Sequence, residues 1–393
     1  MKTHRYLSLV PIASLLAIAV PAHAEDILVG EAIAKSGWME PYDYSARMAD
    51  LAIEDINASG GLLGRQIKTS VIDTKTDPAE SAQAGATLVS EGADLVIVSC
   101  DYDQGAPAAL AAVGAGKLAI SLCAGDPKMG VQGIGKLAFT AATAGQTQGA
   151  TNAAWAHDTK GLRSAYILVD TNIEYSKSVC KGFEWQWKQY ADSKLLGSDT
   201  FKNDDPSIAT QISRIKELPE KPAAIALCSF MPGAASALRQ LRAAGIDQPV
   251  FMPTGSDGTY WFASVPDISD VYLPAAVLAG GGDPNPEVNK LIDRYKEKYG
   301  DVPATSYVLS GYALIQMWAD AVKQAGTTDG DKVADALESF KDHPTVLGPI
   351  SFSPQLHIQN KARFLMLGVK DGKYEQFGYV TSPDVPAEVL FAQ

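Results

Sequence analysis

Two continuous apolar runs, Asp94-Leu-Val-Ile-Val-Ser99 and Lys117-Leu-Ala-Ile-Ser121, read as parallel strands buried on both faces. Each ends abruptly in small, polar and cysteine residues, Ser99-Cys-Asp-Tyr-Asp-Gln-Gly105 and Leu122-Cys-Ala-Gly-Asp126. In open α/β sheets ligands collect beyond the carboxyl ends of the strands, so these two tips are the first place to expect binding. Upstream, Asp26 to Gly30 predicts a strand. Tyr44 to Asn57 places Ala49, Ala52, Ile53 and Ile56 on one helical stripe, and Asn57-Ala-Ser-Gly-Gly61 ends it. Ile67 to Asp73 predicts a second strand, and Asp77-Pro78 starts a helix that Ala79 to Glu91 continues.

The same alternation returns later in the chain. Ser164 to Asp170, Lys221 to Cys228, Pro249 to Met252 and Val271 to Leu278 read as strands; Tyr175 to Tyr190 and Ala235 to Ala244 read as helices. Three helices follow at Glu287 to Tyr299, Tyr307 to Ala325 and Asp331 to Phe340. Short strands close the chain at Ile350 to Phe352, Phe364 to Val369 and Gln376 to Val380. Alternating strands and helices at this spacing mean right-handed βαβ units and parallel sheets. A chain this long divides between two cores, so the fold class is α/β with two lobes.

Composition changes the picture in one respect. Lys2, His4 and Arg5 precede an apolar stretch from Tyr6 to Val20, and Ala22-His23-Ala24 has the form of a cleavage site, which predicts an export signal over residues 1–24, cut after Ala24. Later segments lack the roughly 20 uninterrupted apolar residues of a membrane span. Without Lys2 and Arg5 the 33 basic side chains become 31 against 45 acidic ones, and the formal charge goes from −12 to −14. That excess argues against nucleic acid as a partner. The four cysteines, Cys100, Cys123, Cys180 and Cys228, would reach an oxidising compartment, where three pairings are open. Cys100 and Cys123 end neighbouring strands and are candidate partners; buried free thiols are the alternative.

Catalytic motifs are missing. His157, His343 and His357 have no metal-ligand spacing, Gly255-Ser-Asp-Gly258 is not a nucleophile elbow, and Gly130 to Gly135 matches neither phosphate-binding loop. No enzyme activity, cofactor or metal is expected.

The segment Met48-Ala-Asp-Leu-Ala-Ile-Glu-Asp-Ile-Asn-Ala-Ser-Gly-Gly-Leu-Leu-Gly64, then a strand, Asp77-Pro78 and an alanine-rich helix, resembles the N-terminal lobe of type I periplasmic solute-binding proteins, in the leucine/isoleucine/valine-binding branch. The resemblance implies two lobes, each a mostly parallel sheet flanked by helices, joined by three hinge crossovers near Phe139 to Ala144, Leu273 to Gly280 and Leu347 to Phe352. It divides the chain into an N-terminal lobe (25–142 plus 279–348) and a C-terminal lobe (143–278 plus 349–393). It also implies a periplasmic monomer that captures a small ligand, an amino acid or related amine-bearing compound first, and hands it to the permease of an ABC importer. A small aromatic or hydroxyl-rich compound, a cation, or a sensory role is the alternative.

Carried over residue by residue, the resemblance places a ligand carboxylate against Asp101, Tyr102 and Asp103 and against Cys123, Ala124, Gly125 and Asp126. It places an amine against Asp257, and Tyr175 and Phe230 over the ligand; Trp38 completes the candidate site. Ionised carboxylates are acceptors only, so acidic tips favour ammonium, hydroxyl or cation donors over an anion. Some of these aspartates could instead cap helices, Asp103 in particular, and Asp257 also suits a Ser-Asp-Gly turn. Tyr260 and Trp261 would enlarge an aromatic pocket.

Overall fold

The protein is described by a computed structural model over residues 25–391; the expected export signal lies outside the described residues. The first lobe opens with β1 (Ile27–Ile33), α1 (Glu40–Asp43), α2 (Ser45–Ala58), β2 (Ile67–Asp73), α3 (Pro78–Ser90), β3 (Leu95–Val98), α4 (Tyr102–Gly114), β4 (Leu118–Ser121) and β5 (Ala138–Thr140). Its five strands lie in the order β2-β1-β3-β4-β5, all parallel. Every residue of β3 and β4 is buried, which is why both read as unbroken apolar runs. The register pairs Val98 with Ser121, so the two strands end level and deliver Cys100 and Cys123 to one edge. Asp77 caps α3 by accepting from the Ala79 and Glu80 amides, with Pro78 at the first position.

The second lobe follows with α5 (Gly145–Asp158), β6 (Ser164–Asp170), α6 (Glu174–Trp187), β7 (Lys194–Phe201), α7 (Ala209–Glu217), β8 (Ala224–Cys228), α8 (Gly233–Ala243), β9 (Val250–Phe251) and β10 (Val271–Ala275). The chain returns to the first lobe for α9 (Pro286–Tyr299), α10 (Ser310–Ala325), α11 (Gly330–Glu338) and the hairpin β11 (His343–Thr345) and β12 (Gly348–Ile350). It ends in the second lobe with β13 (Arg363–Lys370), β14 (Lys373–Thr381) and α12 (Ala387–Leu390). The second sheet runs β14-β13-β10-β9-β8-β6-β7, parallel except where β13 meets β10 and β14.

Each lobe has its own apolar centre. Leu314, Trp318 and Val322 of α10 pack with Ile27, Ile97 and Ile120 in the first, and Leu168, Leu227, Leu238 and Leu367 are buried together in the second. The chain passes between lobes three times. The first and third passages lie side by side: Thr140 N–H donates to His357 O (3.0 Å), Gln359 N–H to Ala142 O (3.0 Å) and Ala144 N–H to Gln359 O (2.8 Å). The third passage thus centres on His357 to Gln359, later than the expected Leu347 to Phe352, because Ile350 and Phe352 are still buried in the first core. Among the described residues no helix is long and apolar enough to cross a membrane.

Candidate functional site

The tip of β3 is fixed from below by Asp43, the last residue of α1. Its carboxylate accepts from the Ala34 amide (2.7 Å), the Ser99 hydroxyl (2.7 Å) and the Cys100 amide (2.8 Å), gathering the ends of β1 and β3 onto one buried group. Burial nevertheless pushes its pKa up to about 6, against those three donors. Cys100 and Cys123 are joined in a disulfide across the two tips, and a second disulfide, Cys180 to Cys228, ties α6 to β8. That second pairing was not singled out in the sequence, where α6 and β8 are far apart.

Between the lobes lies a cavity of about 30 Å3. Of the residues expected at the site, Trp38, Asp101, Cys123, Gly125, Tyr175 and Phe230 line it. Met39, Tyr42, Cys100, Ile173, Gly255 and Tyr307 complete the lining. The rings of Trp38 and Phe230, from opposite lobes, meet at 4.4 Å between centroids. Gly125 is required to be small, since a Cβ there would stand 2.9 Å from the Tyr175 ring. A void of this size holds little more than a few waters, so a larger guest needs the lobes to part slightly.

The remaining expected residues stand behind that lining. Asp101, not Asp103, caps α4, accepting from the Gln104 amide at 3.2 Å. Asp103 instead reaches the other lobe and accepts from the Glu174 amide at the start of α6 (2.8 Å). Asp126 accepts from the Lys128 amide (2.9 Å) and, across the cleft, from the Ser178 hydroxyl (2.5 Å). Lys128 pairs with the Glu174 carboxylate at 2.6 Å. The Glu174 amide and the positive dipole end of helix α6 are therefore met by acids of the opposite lobe. Asp257 is turned onto the Ser306 amide (3.0 and 3.1 Å), and burial pushes its pKa up to about 7; it does not reach the cavity as an amine acceptor would. Tyr102 and Ala124 pack with the core on the α3 and α4 side of the sheet. Trp261 donates its indole N–H to Ser256 O (3.0 Å) within the second core, and Tyr260 reaches only the Tyr42 hydroxyl (3.4 Å).

Sequence reasoning missed the tyrosine and glutamine network that floors the cavity. Tyr175 donates to Gln148 Oε1 (2.7 Å), Gln148 Nε2 donates to the Tyr307 hydroxyl (2.8 Å), and Gly255 N–H donates to the Tyr175 hydroxyl (3.3 Å). Tyr42, from the first lobe, donates to the Gly255 carbonyl of the second (3.2 Å). Each lobe thus closes hydrogen bonds that the other leaves open. The one signal for Tyr307 was its place just before the helical stripe of α10; for Gln148 there was none.

The periplasmic binding protein family matches residues 27–373. A leucine-, isoleucine-, valine-, threonine- and alanine-binding protein of Pseudomonas aeruginosa is 25% identical over 79% of this chain and 81% of its own length. The isoleucine complex of a branched-chain amino acid transporter substrate-binding protein from Streptococcus pneumoniae superposes with a TM-score of 0.79 at 23% identity, covering 91% of this chain and 100% of that one. A solute-binding protein of an ABC transporter from R. palustris, solved with benzoate, gives a TM-score of 0.74 at 19% identity over 93% of this chain and 98% of its own. With the family match spanning nearly all the described residues and two lobes of the same architecture, the chain belongs to the periplasmic binding protein family.

Proposed function

We propose that this chain is an extracytoplasmic receptor that captures a small ligand, an amino acid or related amine-bearing compound, between its lobes and delivers it to the permease of an ABC importer. The observation that carries the reading is a cavity walled by both lobes, with Trp38 and Tyr42 from one side and Tyr175 and Phe230 from the other. Only a ligand with higher affinity for the closed arrangement can shift the lobes toward it. The relatives named for branched-chain amino acids support the amine-bearing class. The ring-rich lining favours a second reading, a small aromatic guest, and the benzoate-bound neighbour has the same fold. The lobes are taken as 25–142 plus 279–357 and 143–278 plus 358–393, the third boundary following the passage at His357 to Gln359. The chain acts as a monomer in the periplasm after loss of residues 1–24, and the ligand leaves chemically unchanged.

A thermal-shift screen of the exported chain against amino acids, amines, aromatic acids, polyols and cations tests this. A true ligand at 100 times its dissociation constant adds about 2.7 kcal/mol of stability. No shift with any class would sink the receptor reading, and mass analysis showing a converted ligand would sink the claim that it leaves intact.

A further inference from the structure

The charges and donors of the cavity narrow the ligand further, on the assumption that the cleft is the binding site. Among the described residues that line it there is no Lys, Arg or His; the one charged-type side chain is Asp101. Asp101 is 4% exposed, and its cap bond to Gln104 uses Oδ1. Five aromatic residues share the lining with it, Trp38, Tyr42, Tyr175, Phe230 and Tyr307. Two of the three lining phenols already spend their protons within the protein. Tyr175 spends its proton on Gln148 Oε1 and Tyr42 spends its own on the Gly255 carbonyl. Of the lining amides, Cys100 N–H is committed to Asp43 and Gly255 N–H to the Tyr175 hydroxyl. An anion entering here would lose water and meet ring faces, acceptor oxygens and a carboxyl group.

We infer that the ligand is an organic ammonium cation without a free carboxylate, held over the faces of Trp38, Tyr42, Tyr175, Phe230 and Tyr307 with its charge toward Asp101. Aromatic walls attract a cation through the ring quadrupole, more strongly when water is excluded, and apolar substituents on nitrogen fill the space between rings. One carboxylate then balances the charge. Burial, with Asp103 close by, raises the Asp101 pKa well above the usual carboxylate range; an opposite charge in contact draws the group back to its ionised form. Asp126 and Asp257 are turned away onto Ser178 and Ser306 and do not compete with Asp101 for the ligand.

Calorimetric titration of the exported chain with tetramethylammonium, benzyltrimethylammonium, leucine and benzoate decides this. The two quaternary cations are expected to bind, and leucine and benzoate to bind at least about tenfold more weakly. Asp101→Asn retains a capping side chain and is expected to lose about tenfold or more in cation affinity. Phe230→Leu, which keeps the apolar volume but removes a ring, provides a second variant and is expected to weaken cations selectively. Tighter binding of leucine or benzoate than of either cation overturns the inference and leaves the receptor reading standing. Unchanged cation affinity in both variants also overturns it. Silence from every compound here and in the wider screen removes the receptor reading as well.

Discussion

Glu31 is a buried carboxyl of the first lobe with too few partners. It is 1% exposed, its Oε1 has no hydrogen-bond partner, and it borders a hollow of about 300 Å3 between β1 and α2 that Lys35, Asp43, Arg47 and Asp50 also line. Burial first, and then the charge of Asp50, pushes its pKa up to about 8. A carboxyl raised in this way binds its proton more tightly folded than unfolded, so its contribution is intact below the unfolded value near 4.5 and is lost as pH rises toward 8. Glu31→Gln keeps the shape without the ionisation. The variant is expected to match wild type in stability at pH 4.5 and to exceed it at pH 8.5 by on the order of a few kcal/mol, read as a raised thermal midpoint at the higher pH only. An equal offset at both pH values would show that Glu31 ionises normally. Asp43 and Asp257, with pKa values near 6 and 7, act in the same direction and leave the variant a residual slope. At this scale the legible residues were those at strand ends: Asp101, Cys123 and Gly125 could be placed because β3 and β4 announce where they stop. Asp43, Tyr42 and Tyr307 could not, because their roles come from elements that only the tertiary fold brings together.

Helix α5 shows what sequence patterning cannot reach. Nothing in the chain predicted it, yet Gln146, Thr147, Gln148, Thr151 and Asn152 are all at most 2% exposed within it. Its polar side chains face inward to specific partners, Thr147 Oγ1 to Asn360 O (3.0 Å) and Asn152 Nδ2 to Met252 O (2.8 Å), so no apolar stripe of period 3.6 exists to be read. Contact with α6 is made by missing side chains: a Cβ at Gly149 would lie 1.9 Å from Val179 O, and one at Gly182 would lie 1.8 Å from Gln146 O. Gly182→Ala is therefore expected to destabilise by about 1–3 kcal/mol or more through forced separation of the helices, seen as a lowered urea midpoint. Gly114→Ala, at the end of α4 with open space around it, is the matched control and should be neutral or gain up to about 1 kcal/mol. Equal effects at the two positions would mean that backbone entropy, not packing, decides both. The elements that were legible, α2, α3, β3, β4, β6 and α10 among them, carry one apolar face or one buried run. β7 escaped notice as an edge strand of alternating exposure, and α7 buries only Ile215.

Across the whole molecule, the acidic residues that looked misplaced at the strand tips have a use in holding the lobes together. Asp103, Asp126 and Lys128 of the first lobe meet the Glu174 amide, the Ser178 hydroxyl and the Glu174 carboxylate of the second, all within the first two turns of α6. These bonds cross from lobe to lobe, so parting the lobes would break them and each favours the closed arrangement across the three hinge passages. Their weights differ. A bond from a backbone amide to a partly buried carboxylate is worth about 1.5–3 kcal/mol, whereas the Lys128 to Glu174 pair, 42% and 25% exposed, contributes about 1 kcal/mol or less. Asp103→Ala is accordingly expected to shift closure by about 10- to 100-fold, enlarging the radius of gyration in X-ray scattering and raising the dissociation constant of whatever ligand the screen identifies. Lys128→Ala should change affinity by less than about fivefold, and that small effect should fade at 1 M salt, where charges are screened beyond about 3 Å. If Asp103→Ala leaves both scattering and affinity as in wild type, its bond to α6 does not bias closure, and the bias must come from the Tyr42 to Gly255 contact and the ligand itself.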